Sequence, residues 1–180
     1  MTVPLFPPLN LLNKTFGCCR FIYNKMLEER IKVYKELKGD SQALYDHRYK
    51  TEKEYKQEFE FLKEVDSKAV QSEWRHLKST YDNFFRNLKK GVKGGVPKLK
   101  SRKSRQSYTT YNINNNCKIY FKSKKLKLPK TKVWINFEDN RKFDEETKHI
   151  TVSKTRSGKY YASILVEIES NIEPMKKLNE

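Results

Sequence analysis

From Leu9 onward the apolar positions recur at steps of three and four: Leu9, Leu12, Phe16, Cys19, Tyr23 and Met26, with Ile31, Tyr34 and Leu37 carrying a similar face onward. That spacing predicts an amphipathic helix with Arg20, Asn24 and Lys25 off its apolar stripe. Gly17 interrupts the face. A glycine inside a helix costs about 1 kcal/mol relative to alanine, so the position implies either a turn between two short helices or a close backbone contact. Upstream, Pro4, Pro7 and Pro8 argue against regular helix or central strand over residues 1–8. Gly39-Asp40-Ser41 supplies a stop and a turn. Residues 41–64 mix charges of both signs around Tyr55, Phe59 and Leu62, which predicts a solvent-facing helix with i,i+4 pairs.

Asp66-Ser67 is a strong N-cap. The stripe behind it, Val70, Trp74, Leu77, Tyr81, Phe84, Phe85 and Leu88, predicts a second long helix with these side chains in the core. Gly91, Gly94, Gly95 and Pro97 end it. From about residue 106 the period shifts towards two. Strands are predicted over Tyr108–Ile113, Cys117–Phe121, Lys125–Leu128, Lys132–Phe137, around Ile150 and Val152, and over Lys159–Glu169. Asn114-Asn115-Asn116 and Ser157-Gly158 are the turns. The expected class is α+β: a helical lobe over 9–90, a crossing linker over 91–107, an antiparallel sheet or small, incomplete β-barrel over 108–169, and a frayed tail over 170–180.

Charge changes this picture. The whole chain carries 39 Lys and Arg against 22 Asp and Glu, a net charge of +17. Between Asn83 and Phe137 there are 16 basic residues and no acidic one, so nearly all the excess lies in one block. Such a block attracts a polyanion. Phe84, Phe85, Gln106, Ser107, Tyr108, Tyr111, Asn112, Tyr120 and Phe121 are interleaved with the charges, and aromatic rings stack on unpaired bases while Lys and Arg contact phosphates. The competing reading is a solvated basic loop with its aromatics in the core.

Cys18, Cys19 and Cys117 form no CxxC pair, and His47, His76 and His149 lack ligand spacing, so neither a disulfide framework nor a metal site is indicated. No apolar run approaches the ~20 residues of a membrane span, and MTVPLFPPLN is not a secretory signal. A cytoplasmic protein without cofactor, contacting nucleic acid and no membrane, is expected.

Several motifs resemble the OrfB/TnpB transposase-associated proteins of insertion sequences. LLNKTFGCCRFIYNKML (11–27) is similar to that family's N-terminal helix-turn-helix signature, with Gly17, Arg20, Phe21, Tyr23 and Asn24 in place. Residues 62–110 resemble its Ser-x-x-x-Gln helix, aromatic pair followed by Arg, Gly-rich turn and Lys-Ser-basic run. LKLPKTKVWINF (126–137) is a weaker match to its Leu-Pro-Lys strand. The resemblance implies a helical recognition lobe joined to a wedge-like β-domain that binds structured guide RNA and helps recognise DNA. It also implies that cleavage belongs to a following nuclease domain with three metal-binding acids. No catalytic acid carries over to this chain, which ends about where that domain should begin. The start also departs from the family's opening strand, so a truncated or decayed copy is expected; an intact nuclease frame just downstream of codon 180 would support this.

Carried over by position, the expected nucleic-acid contacts are Arg20 and Asn24 on the first helix and Gln71 and Arg75 on the second long one. The others lie on and before the basic crossing: Arg86, Lys89, Lys90, Lys98, Lys100, Arg102, Lys103, Arg105, Gln106, Ser107 and Tyr108. For Arg20 an internal salt bridge to Glu28 or Glu29 competes, and for Asn24 helix–helix hydrogen bonding. A complete enzyme is the alternative in another class. It would have to use Glu138, Asp139, Asp144, Glu145 and Glu146, the one plausible acidic cluster. A generic basic DNA-binding or protein-interaction module is the third.

Overall fold

A computed structural model describes residues 7–138 and 142–168. α1 runs unbroken from Pro7 to Leu37. It starts at the prolines, contrary to the sequence expectation. A proline ring presets a helical φ, and the N–H it lacks would have no partner in a first turn. Gly17 does not split the helix, and a Cβ built there would meet nothing within 4 Å. One face of α1 is buried as predicted, through Leu12, Phe16, Cys19, Tyr23 and Met26; further along, Val33 is buried while Ile31 and Tyr34 are exposed.

The single helix expected over 41–64 is three short pieces: α2 (Ser41–Asp46), α3 (Glu52–Glu58) and a 3₁₀ turn (Glu60–Glu64). Asp40 caps α2, and Thr51 with Glu54 forms a reciprocal capping box on α3. Tyr55 and Leu62 turn inward, and the Tyr55 hydroxyl donates to Glu29 Oε2 at 2.8 Å. α4 (Ser67–Lys89) starts on Asp66, whose carboxylate accepts from the Lys68 amide at 3.0 Å. The same carboxylate accepts from the Thr110 hydroxyl, tying the start of α4 to the sheet.

α4 keeps only part of its predicted core face. Val70 and Leu77 are fully buried, but Trp74, Phe85 and Leu88 are exposed, because among the described residues no element covers that side of the helix or its last turns. Trp74→Ala is therefore expected to cost under about 1 kcal/mol, well short of the 3–5 kcal/mol of a core cavity. A thermal melt of that variant measures the difference.

Among the described residues the strands form two open three-stranded antiparallel sheets, not a barrel. In the first, β1 (Gln106–Tyr111), β5 (Glu146–Lys154) and β6 (Tyr160–Glu167) lie in that order, with β6 at an edge. β2 (Lys118–Tyr120), β3 (Lys125–Lys127) and β4 (Ile135–Asn136) make the second. Asn114 and Asn115 hold the tight turn before β2 at φ 54°, and Gly158 turns β5 into β6 at φ 84°. The expected tail over 170–180 lies outside the described residues.

The described residues form two cores. One joins α1 to both sheets through Leu12, Phe16, Tyr108, Cys117, Leu126, Leu128, Ile150 and Val152. The other packs α1 on α3 and α4 through Ile22, Leu27, Tyr55, Leu62, Val65, Val70 and Leu77. α1 thus belongs to both. Burial pushes the Cys117 thiol up to about 12 and Cys19 well above the usual thiol range, so both are packing residues held as neutral thiols.

Candidate nucleic-acid interface

An open cleft runs along one face of α1. Asn13, Phe16, Gly17 and Arg20, spaced three and four apart, line one wall. The turn before β1 brings Arg102, Lys103 and Arg105, and the β5–β6 hairpin brings Lys154, Arg156 and Tyr161. Six cations therefore converge on one space of about 1390 Å³, lined without any carboxylate. Small-molecule pockets occupy roughly 300–1,000 Å³. A larger, open, uniformly cationic trough suits a polyanion.

The turn is built so that its charges point outward. The Ser104 amide donates to the Ser101 carbonyl at 3.1 Å, and the Ser101 amide to Ser104 Oγ at 3.0 Å. Gln106 fastens it from below: its Nε2 donates to the carbonyls of Arg102 at 3.0 Å and Ser104 at 2.8 Å, and its Oε1 accepts from Arg20 Nη1 at 2.9 Å. With these peptide groups satisfied internally, Arg102, Lys103 and Arg105 stand exposed. The hairpin wall is held to α1 by Asn13, whose Oδ1 accepts from Lys154 Nζ and from the Tyr160 hydroxyl, each at 3.0 Å.

One step earlier the crossing is clamped. Asn24 donates from Nδ2 to the Lys100 carbonyl at 2.9 Å and accepts the Lys100 amide on Oδ1 at 2.8 Å. The Lys100 ammonium then turns inward, over the Tyr23 ring at 3.9 Å and onto Glu73 Oε2 at 2.9 Å. Glu73 is wholly buried and meets His76 on its other oxygen at 3.2 Å. Asn24→Ala is expected to remove about 1–2 kcal/mol and to free the crossing, seen as faster amide hydrogen exchange over 100–106.

Measured against the sequence expectations, the structure divides the candidate residues. Arg102, Lys103 and Arg105 share the cleft with Arg20. Arg20 meets Gln106 rather than Glu28 or Glu29. Asn24, Lys100 and Gln106 have polar groups hydrogen-bonded within the protein. Tyr108 is packed inside: it is 3% exposed, its ring centroid 5.3 Å from that of Phe16. Ser107 is half-buried at the start of β1. Gln71 donates to Glu52 at 3.2 Å, and Arg75 lies over Tyr111 at 4.6 Å, both on α4 away from the cleft. Arg86, Lys89 and Lys90 are exposed at the C-terminal end of α4, where cations also interact favourably with the negative end of the helix dipole. Lys98 is exposed outside the cleft lining.

Sequence reasoning missed Asn13, Lys154, Arg156 and Tyr161. Lys154 and Arg156 sit in a locally ordinary stretch, and only the pairing of β5 with β1, which sets Lys154 opposite Gln106, brings them to the basic turn. Of the alternative acidic cluster, Asp139 lies outside the described residues. Among the described residues no group of three or more His, Cys, Asp or Glu could hold a metal ion, and no helix is long and apolar enough to cross a membrane.

Residues 10–39, which cover most of α1 and enter the turn before α2, match the helix-turn-helix domain of the OrfB/IS605 type. Over 158 residues, 87% of its length, the chain is 31% identical to a protein of Streptomyces pristinaespiralis provisionally named an RNA-guided DNA endonuclease. The chain is OrfB/TnpB-like. It spans 37% of the length of that relative. In this OrfB/TnpB-like chain the matched helix is the element that forms the cleft wall and carries both Arg20 and the Asn24 clamp. The similarity extends well beyond α1, over most of the chain that builds the other two walls.

Proposed function

We propose that the chain binds structured RNA, DNA or both in the cleft between α1, the 101–105 turn and the β5–β6 hairpin. In this reading it serves as the recognition part of an RNA-guided DNA endonuclease and contributes binding without a cleavage step of its own. The observation that carries the reading is the convergence of Arg20, Arg102, Lys103, Arg105, Lys154 and Arg156 on one trough without a carboxylate in its lining. Like charges held this close repel one another, and a phosphate backbone relieves that repulsion while releasing its counterions. The resemblance of α1 to a helix-turn-helix domain and the name of the Streptomyces relative support the same reading.

The test is a salt titration of the purified chain against structured RNA, duplex DNA and single-stranded DNA, with Mg²⁺ present and products run on a gel. Tight binding of structured RNA, with log K falling by about 4–6 per decade of salt and no cleavage, is the expected result. Equal, shallow binding to all three would overturn a guide-RNA role and leave a generic basic surface. Cleavage that a chelator abolishes would overturn the binding-only reading.

A further inference from the structure

The second sheet carries a surface that the cleft does not use. Its inner face, Ile119, Leu126 and Ile135 in cross-strand register, packs on the core. Strand alternation puts Lys118, Tyr120, Lys125, Lys127, Trp134 and Asn136 on the other face. Lys118 pairs directly with Lys127. Like charges opposite each other in an antiparallel pair are destabilising, and the nearest acid in sequence is Glu138. Tyr120 is half exposed, its ring centroid 4.9 Å from that of Trp134, and Lys127 Nζ lies 5.6 Å from the Trp134 ring. A face chosen for sheet stability alone would hold threonines, alternating charges or covered aromatics. This one holds two neighbouring π-faces within a ring of lysines.

We propose that the outer face of β2–β3–β4 is a stacking platform for unpaired nucleobases, with Tyr120 and Trp134 against the bases and Lys118, Lys125 and Lys127 on the flanking phosphates. Open antiparallel faces bearing aromatics and cations hold single strands in this way, and the stacking tolerates any base because each has a π-face. The lysine repulsion that burdens the free sheet becomes attraction once a strand lies across it. The platform shares no residue with the cleft, so it stands whether or not the cleft binds a structured partner.

The experiment reads Trp134 directly. Trp74→Phe leaves Trp134 as the remaining one of the two tryptophans, and in the full chain with that background oligothymidylate is expected to quench its fluorescence. A blunt duplex and an abasic deoxyribose-phosphate strand of equal length are expected to leave the emission unchanged. Tyr120→Ala should weaken oligothymidylate binding about tenfold or more with the abasic strand bound as before, and Tyr120→Phe should restore it. Equal affinity for the abasic strand, or unchanged emission with the thymidylate, would overturn the platform. If Tyr120→Ala lowers the thermal midpoint, Tyr120→Leu, which keeps bulk without a π-face, decides by the same comparison. Quenching that survives neutralisation of Arg102, Lys103 and Arg105 separates this site from the cleft. Loss of duplex or structured-RNA binding without loss of quenching marks a failure of one reading and not the other.

Discussion

Replacing Arg102, Lys103 and Arg105 together by alanine is expected to weaken polynucleotide binding by about 10²-fold at 0.1 M salt and to reduce the log–log salt slope by about 2–3. The thermal midpoint should stay where it is. All three side chains are exposed, and the turn that presents them is fixed by Ser101, Ser104 and Gln106 through groups the substitutions leave in place. The slope is the sharper readout. A lost phosphate contact removes a released counterion, whereas a general loss of folded protein lowers apparent affinity with the slope preserved. A variant that melts early, or binds as tightly as before with the same slope, would show that the turn is not the phosphate-contacting wall.

Lys100→Ala, one residue upstream of the same turn, is expected to behave in the opposite way. Its ammonium is the cationic partner of a carboxylate with no exposed surface. Removing one member of a buried pair costs about 3–5 kcal/mol, and since Lys100 is a third exposed about 3 kcal/mol is expected. In a domain of this size that lowers the midpoint by about 6–12 °C. Binding should fall only to the extent that the fold does, with the salt slope of the remaining folded protein nearly intact. Glu73→Leu paired with Lys100→Met, which takes both charges away, should recover most of the loss. A Lys100→Ala chain of unchanged stability and shallower slope would return Lys100 to the phosphate-binding set.

The contrast shows which features are written locally. α4 and its start were legible because Asp66-Ser67 is a cap whose chemistry acts over two or three residues. The strands from β1 to β6 were legible because a two-residue period and the Asn-rich and Ser-Gly turns are equally local. The burial of Trp74 was misjudged because periodicity tells which side of a helix a residue occupies, not whether another element covers it. The region over 41–64 was misjudged because α2 stops at Asp46 and Thr51 caps a new helix inside the same charged run. For the site, the basic turn was visible in composition. The roles of Arg20, Asn24 and Lys100 were not, since their partners lie 86, 76 and 27 residues away in the chain. The hairpin wall was hidden for the same reason, because strand pairing, not sequence proximity, places Lys154 and Arg156.

The edge position of β6 has a consequence for how the protein behaves in bulk. Among the described residues this strand pairs on one side only, and Tyr161, Leu165 and Ile168 lie exposed on or beside it. An open edge with apolar neighbours is a template for another strand. In free protein a net charge of +17 keeps copies apart. A bound polynucleotide cancels that charge while leaving the edge open. Solubility should therefore pass through a minimum as nucleic acid is added, near the ratio at which phosphates balance lysines and arginines, and recover on either side of it. Colloidal stability is set here by the ligand as much as by the fold.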